Sequence, residues 1–233
     1  MFPGAGSQRM SMTKSQPMGN AESLINNYRA YALAPYREIL AELLEHAGPI
    51  DTLKDKKILE IGPGNRVNLM RFFSEEMGIE INGVGRAPLW PWTPHRQYIS
   101  KHITNTLLLD HLPRVESQSY DIIYSRHVME QHSIHAGILL TSRTYWRYIR
   151  ENRFKIPGED FPSSLPNIQA IFRHCYRTLK PGGIIISQIG RRQYSALDRP
   201  FLESLNPQTI SERPLGKMSL IVAVTKSPLT SQR

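Results

Sequence analysis

An acidic residue followed by two glycines closes a short apolar run near the start of this chain. The run Lys57-Ile58-Leu59-Glu60-Ile61 predicts a strand that opens into the turn Gly62-Pro63-Gly64. A glycine turn between a strand and a helix lets backbone N–H groups approach a ligand closely, because no Cβ stands in the way. Glu60 adds a carboxylate beside that turn, which suits a positively charged ligand group and would repel a phosphate.

Titratable side chains follow a second apolar run, Tyr120-Asp121-Ile122-Ile123-Tyr124, which also predicts a strand. Ser125 comes directly after it, and His127 and His132 lie a few residues further on. Histidine has a near-neutral pKa, so these two are candidates for a general base. The alternative is that they are structural residues at the start of a helix. A zinc site that includes His135 lacks matching cysteine or carboxylate spacing, and no metal is expected.

Three segments, taken in chain order, resemble the motifs of class I S-adenosylmethionine-dependent methyltransferases. Glu60-x-Gly62-x-Gly64 is similar to the first motif of that family, and Tyr120 to Glu130 is similar to its fourth-strand motif. Arg177-Thr178-Leu179-Lys180-Pro181-Gly182-Gly183 is similar to the turn before its fifth strand. The resemblance covers roughly Lys57 to Ile189 and implies a Rossmann-like three-layer α/β sandwich with a mainly parallel seven-stranded sheet.

The resemblance also implies a role for individual residues. Glu60, Gly62 and Gly64 would lie against the amino-acid end of S-adenosylmethionine. Ser125 would lie close to the sulfonium and the incoming substrate, and Asp110 near the adenine amino group. Methyl transfer from a sulfonium is an in-line displacement, so the protein mainly aligns the nucleophile and removes its proton where needed.

The chain departs from this family at the end of the second predicted strand. The family usually has an aspartate or glutamate there for the ribose hydroxyls, whereas this chain has Gly85 followed by Arg86. Either another group holds the ribose, or cofactor binding is weak or lost. Arg86 also raises a rival interpretation, a nicotinamide enzyme in which it pairs with a 2′-phosphate. The dinucleotide fingerprint G-x-G-x-x-G argues against that rival, because it fails at Val67.

Apolar spacing along the chain predicts strands that alternate with helices, as in an α/β fold. Pro35 should break the first helical stretch, Ala21 to Ala47, into two helices or kink it. The remaining predicted helices are Val67 to Phe73, Ile134 to Arg150 and Asn167 to Leu179. The remaining predicted strands are Ile79 to Val84, part of Gln97 to Thr104, Gly183 to Ser187 and Leu220 to Val224.

The chain is long enough for a single α/β domain, with 233 residues of which 40% are hydrophobic. We expect a disordered tail at 1–20, one domain at 21–226 with a helical insertion at about 134–165, and a second tail at 227–233. No apolar run is long enough for a membrane span or a signal peptide, which favours a cytoplasmic protein. The single cysteine, Cys175, is expected to be a small buried residue.

Positive charge is concentrated in the second half of the chain. The net charge is +9, and residues 126–225 hold 14 basic and seven acidic residues. Within them, Ser142 to Lys155 combines five basic with four aromatic side chains. This segment fits a clamp for an anionic small molecule, contact with RNA, or an amphipathic helix whose arginines face water. We expect a small-molecule methyltransferase, and the alternatives are an RNA methyltransferase or an inactive methyltransferase-like binding protein.

Overall fold

The computed structural model places helices on both faces of one seven-stranded sheet. It describes residues 21–63, 67–85, 94–106, 108–126, 165–190, 196–215 and 219–228. The strands are β1 (Ile58–Ile61), β2 (Ile81–Gly85), β3 (Ile103–Asn105), β4 (Tyr120–Arg126), β5 (Leu179–Gly190), β6 (Pro207–Leu215) and β7 (Ser219–Lys226). The strand order across the sheet is β3-β2-β1-β4-β5-β7-β6.

Short helical segments connect and cover these strands. Within the described residues, the α-helices are α1 (Ala21–Asn27), α2 (Arg37–Ala47), α3 (Asn68–Arg71), α4 (Arg96–His102), α5 (Leu108–His111), α6 (Leu165–Thr178) and α7 (Arg199–Glu203). The same residues include 3-10 turns at Arg29–Tyr31, Ala34–Tyr36, Ile50–Leu53 and Leu112–Arg114, and a π-helical turn at Phe72–Glu76. Pro35 lies in the second of these turns, between α1 and α2, so the predicted interruption is confirmed.

The sheet is mixed, which corrects the prediction of a mainly parallel sheet. Neighbouring strands from β3 to β5 are parallel, whereas β7 is antiparallel to both β5 and β6. Only three residues separate β6 from β7, and a connection that short joins antiparallel neighbours, because a parallel crossover needs a dozen residues or more.

One predicted strand lies at the very end of its predicted region, and one further strand was not predicted. The region predicted to contain the third strand is mostly α4, and β3 begins only at Ile103. Arg96, Gln97 and Lys101 are good helix formers, and their propensity prevails over the few apolar residues there. The strand β6 was not predicted, because most of its side chains are polar and none is buried.

Alternation along the strands divides the core into two halves, because successive side chains point to opposite faces. Ile58, Ile122 and Ile184 face the helices α1 to α4, on what we call the first face. Their chain neighbours Leu59, Ile123 and Ile185 face α5, α6 and α7, on the second face. Because β1 to β5 run parallel to one another, their carboxyl ends meet at one edge of the sheet, with a helical layer on each side. Within the described part of the chain, no helix is both long and apolar enough to cross a membrane.

Candidate functional site

The glycine turn after β1 lies directly against the end of β2. Gly62 has a φ of +66°, a conformation that glycine adopts without a steric penalty. Its N–H donates to the carbonyl oxygen of Val84 at 2.7 Å, which fixes the start of the turn on the neighbouring strand. The predicted strand is therefore present, and Gly62 follows it with a positive φ, while Gly64 lies outside the described residues.

Gly85 stands where the sequence resemblance predicts a ribose-binding acid. Its nearest neighbour is the main chain of the turn at Gly62. A Cβ built on Gly85 would lie 2.9 Å from Gly62 Cα and 3.3 Å from Gly62 N. A side chain at this position would have to displace the turn itself, because the nearest atoms are main chain. The missing acid is thus accompanied by a close approach of β2 to the turn. Arg86 lies outside the described residues.

Glu60 and Tyr124 form a buried pair on the first face. They are Cα partners across β1 and β4, and the Tyr124 hydroxyl donates to Glu60 Oε2 at 2.7 Å. Burial raises the pKa of Glu60 to about 8, although the hydrogen bond from Tyr124 and the positive charge of Arg126 both act to lower it. A cation bound next to this carboxyl group would favour its ionised form. The site thus contains a carboxyl group whose charge depends on what lies beside it.

Ser125 lies near the same sheet edge but on the opposite face from Glu60. Its hydroxyl donates to Ser187 Oγ at 3.0 Å, and both side chains are buried. Because Ser125 is one residue away from Tyr124 along β4, its side chain points to the second face. The structure therefore does not bring Ser125 together with Glu60, and its role near a sulfonium stays a prediction.

The other predicted site residues are less constrained by the structure. Asp110 is exposed on α5, which follows β3, so its assignment to the adenine amino group stays a prediction. His127 and His132 lie outside the described residues, as does most of the predicted helical insertion. Among the residues that the structure does describe, no group of three or more side chains is arranged to hold a metal ion.

Further polar residues on the first face were not predicted as part of the site: Arg126, Gln188, Tyr98 and Tyr36. Arg126 ends β4, and its guanidinium carbon lies 5.5 Å from the centroid of the Tyr36 ring. Gln188 is the Cα partner of Arg126 on β5. Tyr98 packs against the core of the first face, and burial raises the pKa of Tyr98 to about 12. The only sequence signal for these residues was the position of Arg126, a charged residue at the end of an apolar strand.

The carboxyl ends of the parallel strands therefore carry a row of polar groups on one face. In open α/β sheets, ligands bind outside the carboxyl ends of the strands, so this edge is the candidate site. The row runs from Asn105 on β3 through Glu60 on β1 and Tyr124 and Arg126 on β4 to Gln188 on β5.

A separate cavity lies at the opposite, amino end of the sheet. Its volume is about 220 Å³, and it is lined in part by Asp121, Gly182 and Gly183. Asp121 accepts from Lys180 Nζ at 2.7 Å and from the Lys57 N–H at 2.9 Å. Its carboxylate thus ties three segments of the chain together, and we assign this region a structural role.

Comparison with solved structures identifies proteins of similar architecture. A SAM dependent methyltransferase from Archaeoglobus fulgidus aligns with a TM-score of 0.51 and 12% identity, over 87% of this chain and 98% of that one. A putative sarcosine dimethylglycine methyltransferase from Galdieria sulphuraria aligns with a TM-score of 0.47 and 15% identity, over 88% and 86%. A 16S rRNA methyltransferase from T. Thermophilus gives 0.43 and 10%, over 76% and 37%.

Sequence comparisons give no corresponding match. No protein-family model matches the chain, and no curated protein does. The likeness to the Archaeoglobus fulgidus structure is nevertheless spread over almost the whole of both chains. This chain therefore has the fold of the class I S-adenosylmethionine-dependent methyltransferases, as its motifs predicted.

Proposed function

We propose that this protein is an S-adenosylmethionine-dependent methyltransferase that acts on a small-molecule acceptor. One observation carries the proposal: in a class I methyltransferase fold, buried Glu60 and the positive-φ turn at Gly62 lie together at the carboxyl end of β1. A fold alone does not imply a function, so the proposed activity depends on these two residues of the site.

The residues at the end of β1 fit the positively charged end of the cofactor. When bound, S-adenosylmethionine supplies a methyl group on a cationic sulfur and also carries an ammonium group. Glu60 would stabilise positive charge there, since a carboxylate in a water-poor site interacts strongly with a nearby cation. Gly62 contributes by leaving the turn without a Cβ, so that a ligand can approach the backbone.

The ribose end needs a different group from the usual acid, and we assign it to Asn105. Asn105 is the Cα partner of Gly85 across β2 and β3, and its side chain is exposed at the sheet edge. A carboxamide has both a donor and an acceptor, so it is able to bind a ribose hydroxyl without the charge of an acid. Asp110, on the helix α5 that follows β3, stays our candidate for the adenine amino group.

Proton removal from the acceptor is assigned to the segment that follows β4. His127 and His132 are the candidates for the base, because a histidine near neutral pH both accepts and releases protons. The basic residues at 142–155 follow in the same connection, and arginine side chains there would favour an acceptor that carries negative charge.

Calorimetric titration with S-adenosylmethionine and S-adenosylhomocysteine tests the proposal. We expect micromolar binding to the wild type at pH 8, and roughly tenfold weaker binding of S-adenosylmethionine to Glu60→Gln, since a charge-assisted contact is lost. Glu60→Gln keeps the volume of the side chain and an acceptor for Tyr124, so the fold should survive. Glu45→Gln changes an exposed carboxyl group on α2 and is the matched control.

One observation favours a second candidate function, a methyltransferase-like binding protein without a cofactor. The contact between Gly85 and Gly62 leaves no room at that point for the acid that the family uses. If folded wild-type protein binds neither S-adenosylmethionine nor S-adenosylhomocysteine, the enzyme proposal fails. Titrations with NADPH and with RNA would then separate the remaining interpretations, and salt-sensitive retention of RNA would indicate phosphate contacts.

A further inference from the structure

Two buried polar atoms at the carboxyl edge of the sheet have no hydrogen-bond partner among the described residues. They are Nε of Arg126 and Oε1 of Gln188. Buried polar groups in folded proteins are nearly always paired, because leaving one unsatisfied costs about 1–3 kcal/mol. Two such atoms on residues that are Cα partners across β4 and β5 therefore indicate a site for a polar ligand.

Both residues are on the first face, the face that carries Glu60. Glu60 on β1 is the Cα partner of Tyr124 on β4. Arg126 lies two residues beyond Tyr124 along β4, so its side chain points to the same face of the sheet as Tyr124 and Glu60. The two side chains are therefore neighbours on this face by the register of the strands, and the positive charge of Arg126 acts to lower the pKa of Glu60. The guanidinium also lies over the ring of Tyr36, and stacking of this kind restricts its orientation.

The chemistry of these three groups specifies a ligand with both signs of charge. The Nε–H of Arg126 requires an acceptor, and a carboxylate matches a guanidinium in shape and charge. Oε1 of Gln188 requires a donor, and the carboxyl group of Glu60 favours a cation. A sulfate would satisfy Arg126 alone, because it has no donor for Gln188, and the Glu60 carboxylate would repel a phosphate.

We infer that Arg126 and Gln188, together with Glu60, form a subsite for an α-amino carboxylate. This inference rests on the proposed function and deepens it by naming the ligand group that this part of the site binds. An α-amino carboxylate has two sources in such a reaction: the amino-acid end of the cofactor, or an acceptor that is itself an amino acid. Arg126 and Gln188 would bind the ligand in either case and take no part in the chemical step.

The first experiment compares two ligands that differ in the amino-acid end. S-adenosylhomocysteine has an α-amino carboxylate, and 5′-methylthioadenosine lacks it. If the cofactor is the source, Arg126→Gln should weaken binding of S-adenosylhomocysteine roughly 10- to 100-fold, the effect of losing one or two charge-assisted hydrogen bonds. Binding of 5′-methylthioadenosine should stay unchanged, which also shows that the variant is folded. Gln188→Leu should have a smaller effect in the same direction.

A matched control removes an arginine of similar geometry elsewhere. Arg173 lies over the ring of Phe201 at 5.0 Å and is exposed on α6, beside the second face. Arg173→Gln should change neither titration. Arg126→Lys keeps the positive charge without the planar guanidinium, so partial recovery of S-adenosylhomocysteine binding would separate charge from geometry.

The second experiment tests the other source. If Arg126→Gln leaves the affinity for S-adenosylhomocysteine unchanged, protein saturated with that ligand is titrated with glycine, the other common amino acids and glycinamide. Binding of an amino acid that requires Arg126 and that glycinamide does not show would assign the subsite to the acceptor. If Arg126→Gln changes neither titration, the inference is overturned. Wild-type protein that binds an amino acid through Arg126 but no cofactor would overturn the proposed function alone.

Discussion

The Tyr124 hydroxyl donates a 2.7 Å hydrogen bond to Glu60 Oε2, which joins β4 to β1 on the first face of the sheet. Burial raises the pKa of Glu60 from 4.5 to about 8, and it also raises the pKa of Tyr124 well above 10.0. This pair therefore has one readily titrated proton, on Glu60, in the range in which enzymes commonly work. Its protonation links the stability of the fold to the charge of the candidate site.

Glu60→Gln should change how stability depends on pH. The folded protein holds the Glu60 proton up to about pH 8, whereas the unfolded chain releases it near 4.5. Between these values the folded state binds more protons, so Glu60 makes the wild type less stable as pH rises through that window. We expect the Tm of Glu60→Gln, relative to wild type, to rise by roughly 5–10 °C between pH 5 and pH 8. Thermal unfolding followed by circular dichroism measures it.

Tyr124→Phe provides a second measurement on the same pair. Loss of the Tyr124 hydroxyl takes away a hydrogen bond that lowers the pKa of Glu60. The upper end of the pH window should therefore move to higher pH. Glu45→Gln, an exposed carboxyl group on α2, should follow the wild-type curve. A constant difference in Tm between Glu60→Gln and wild type at all pH values would contradict the account of Glu60 as a buried acid.

Gly85→Asp should fail to restore a ribose-binding acid. The new Cβ would lie 2.9 Å from Gly62 Cα, so the turn would have to shift and its part of the cofactor site with it. We expect Gly85→Asp and Gly85→Ala both to lower the affinity for S-adenosylhomocysteine by roughly tenfold or more, equivalent to about 1.4 kcal/mol. Gly78→Ala is the control, since Gly78 also has a positive φ but a Cβ added there would meet no atom within 4 Å. Tighter binding by Gly85→Asp would show that the turn adapts to an acid.

Arg213 and Glu42 should couple β6 to α2 strongly. Glu42 is 3% exposed, and its Oε1 lies 2.7 Å from a terminal nitrogen of Arg213. Removing the arginine leaves a buried carboxylate with less compensation, so Arg213→Met should lower the free energy of unfolding by about 3 kcal/mol. Urea denaturation measures the loss. The exposed pair Arg199–Glu203 is the control, and Arg199→Met should cost less than about 1 kcal/mol.

Cys175 should be unreactive in the folded protein. Its side chain is 1% exposed on α6, and burial raises the pKa of the thiol to about 12. A thiol reagent attacks the thiolate, so the reaction must wait for the protein to open. We expect modification by a colorimetric disulfide reagent to be roughly 100-fold or more slower in native buffer than in guanidinium chloride. Equal rates under both conditions would place Cys175 at the surface.

Several features of the fold and site could be predicted because they depend on neighbours along the chain. The strand at Ile58–Ile61 is apolar and ends in a glycine, and Pro35 cannot continue a helix. The strand β6 escaped prediction because it lies at the edge of the sheet, where its polar sequence resembles a loop. The direction of β7 escaped as well, since a strand's own residues do not specify which neighbour it pairs with.

The sequence by itself determined the class of fold, the glycine turn and the acid beside it, because periodicity and glycine placement act over a few residues. Only the tertiary structure decided which side chains meet. Glu60 and Tyr124 are 64 residues apart, and their contact requires the register of β1 against β4. The same registers place Gly85 against Gly62 and Arg126 beside Gln188. Register depends on packing the two faces of the whole sheet, so no local pattern contains it.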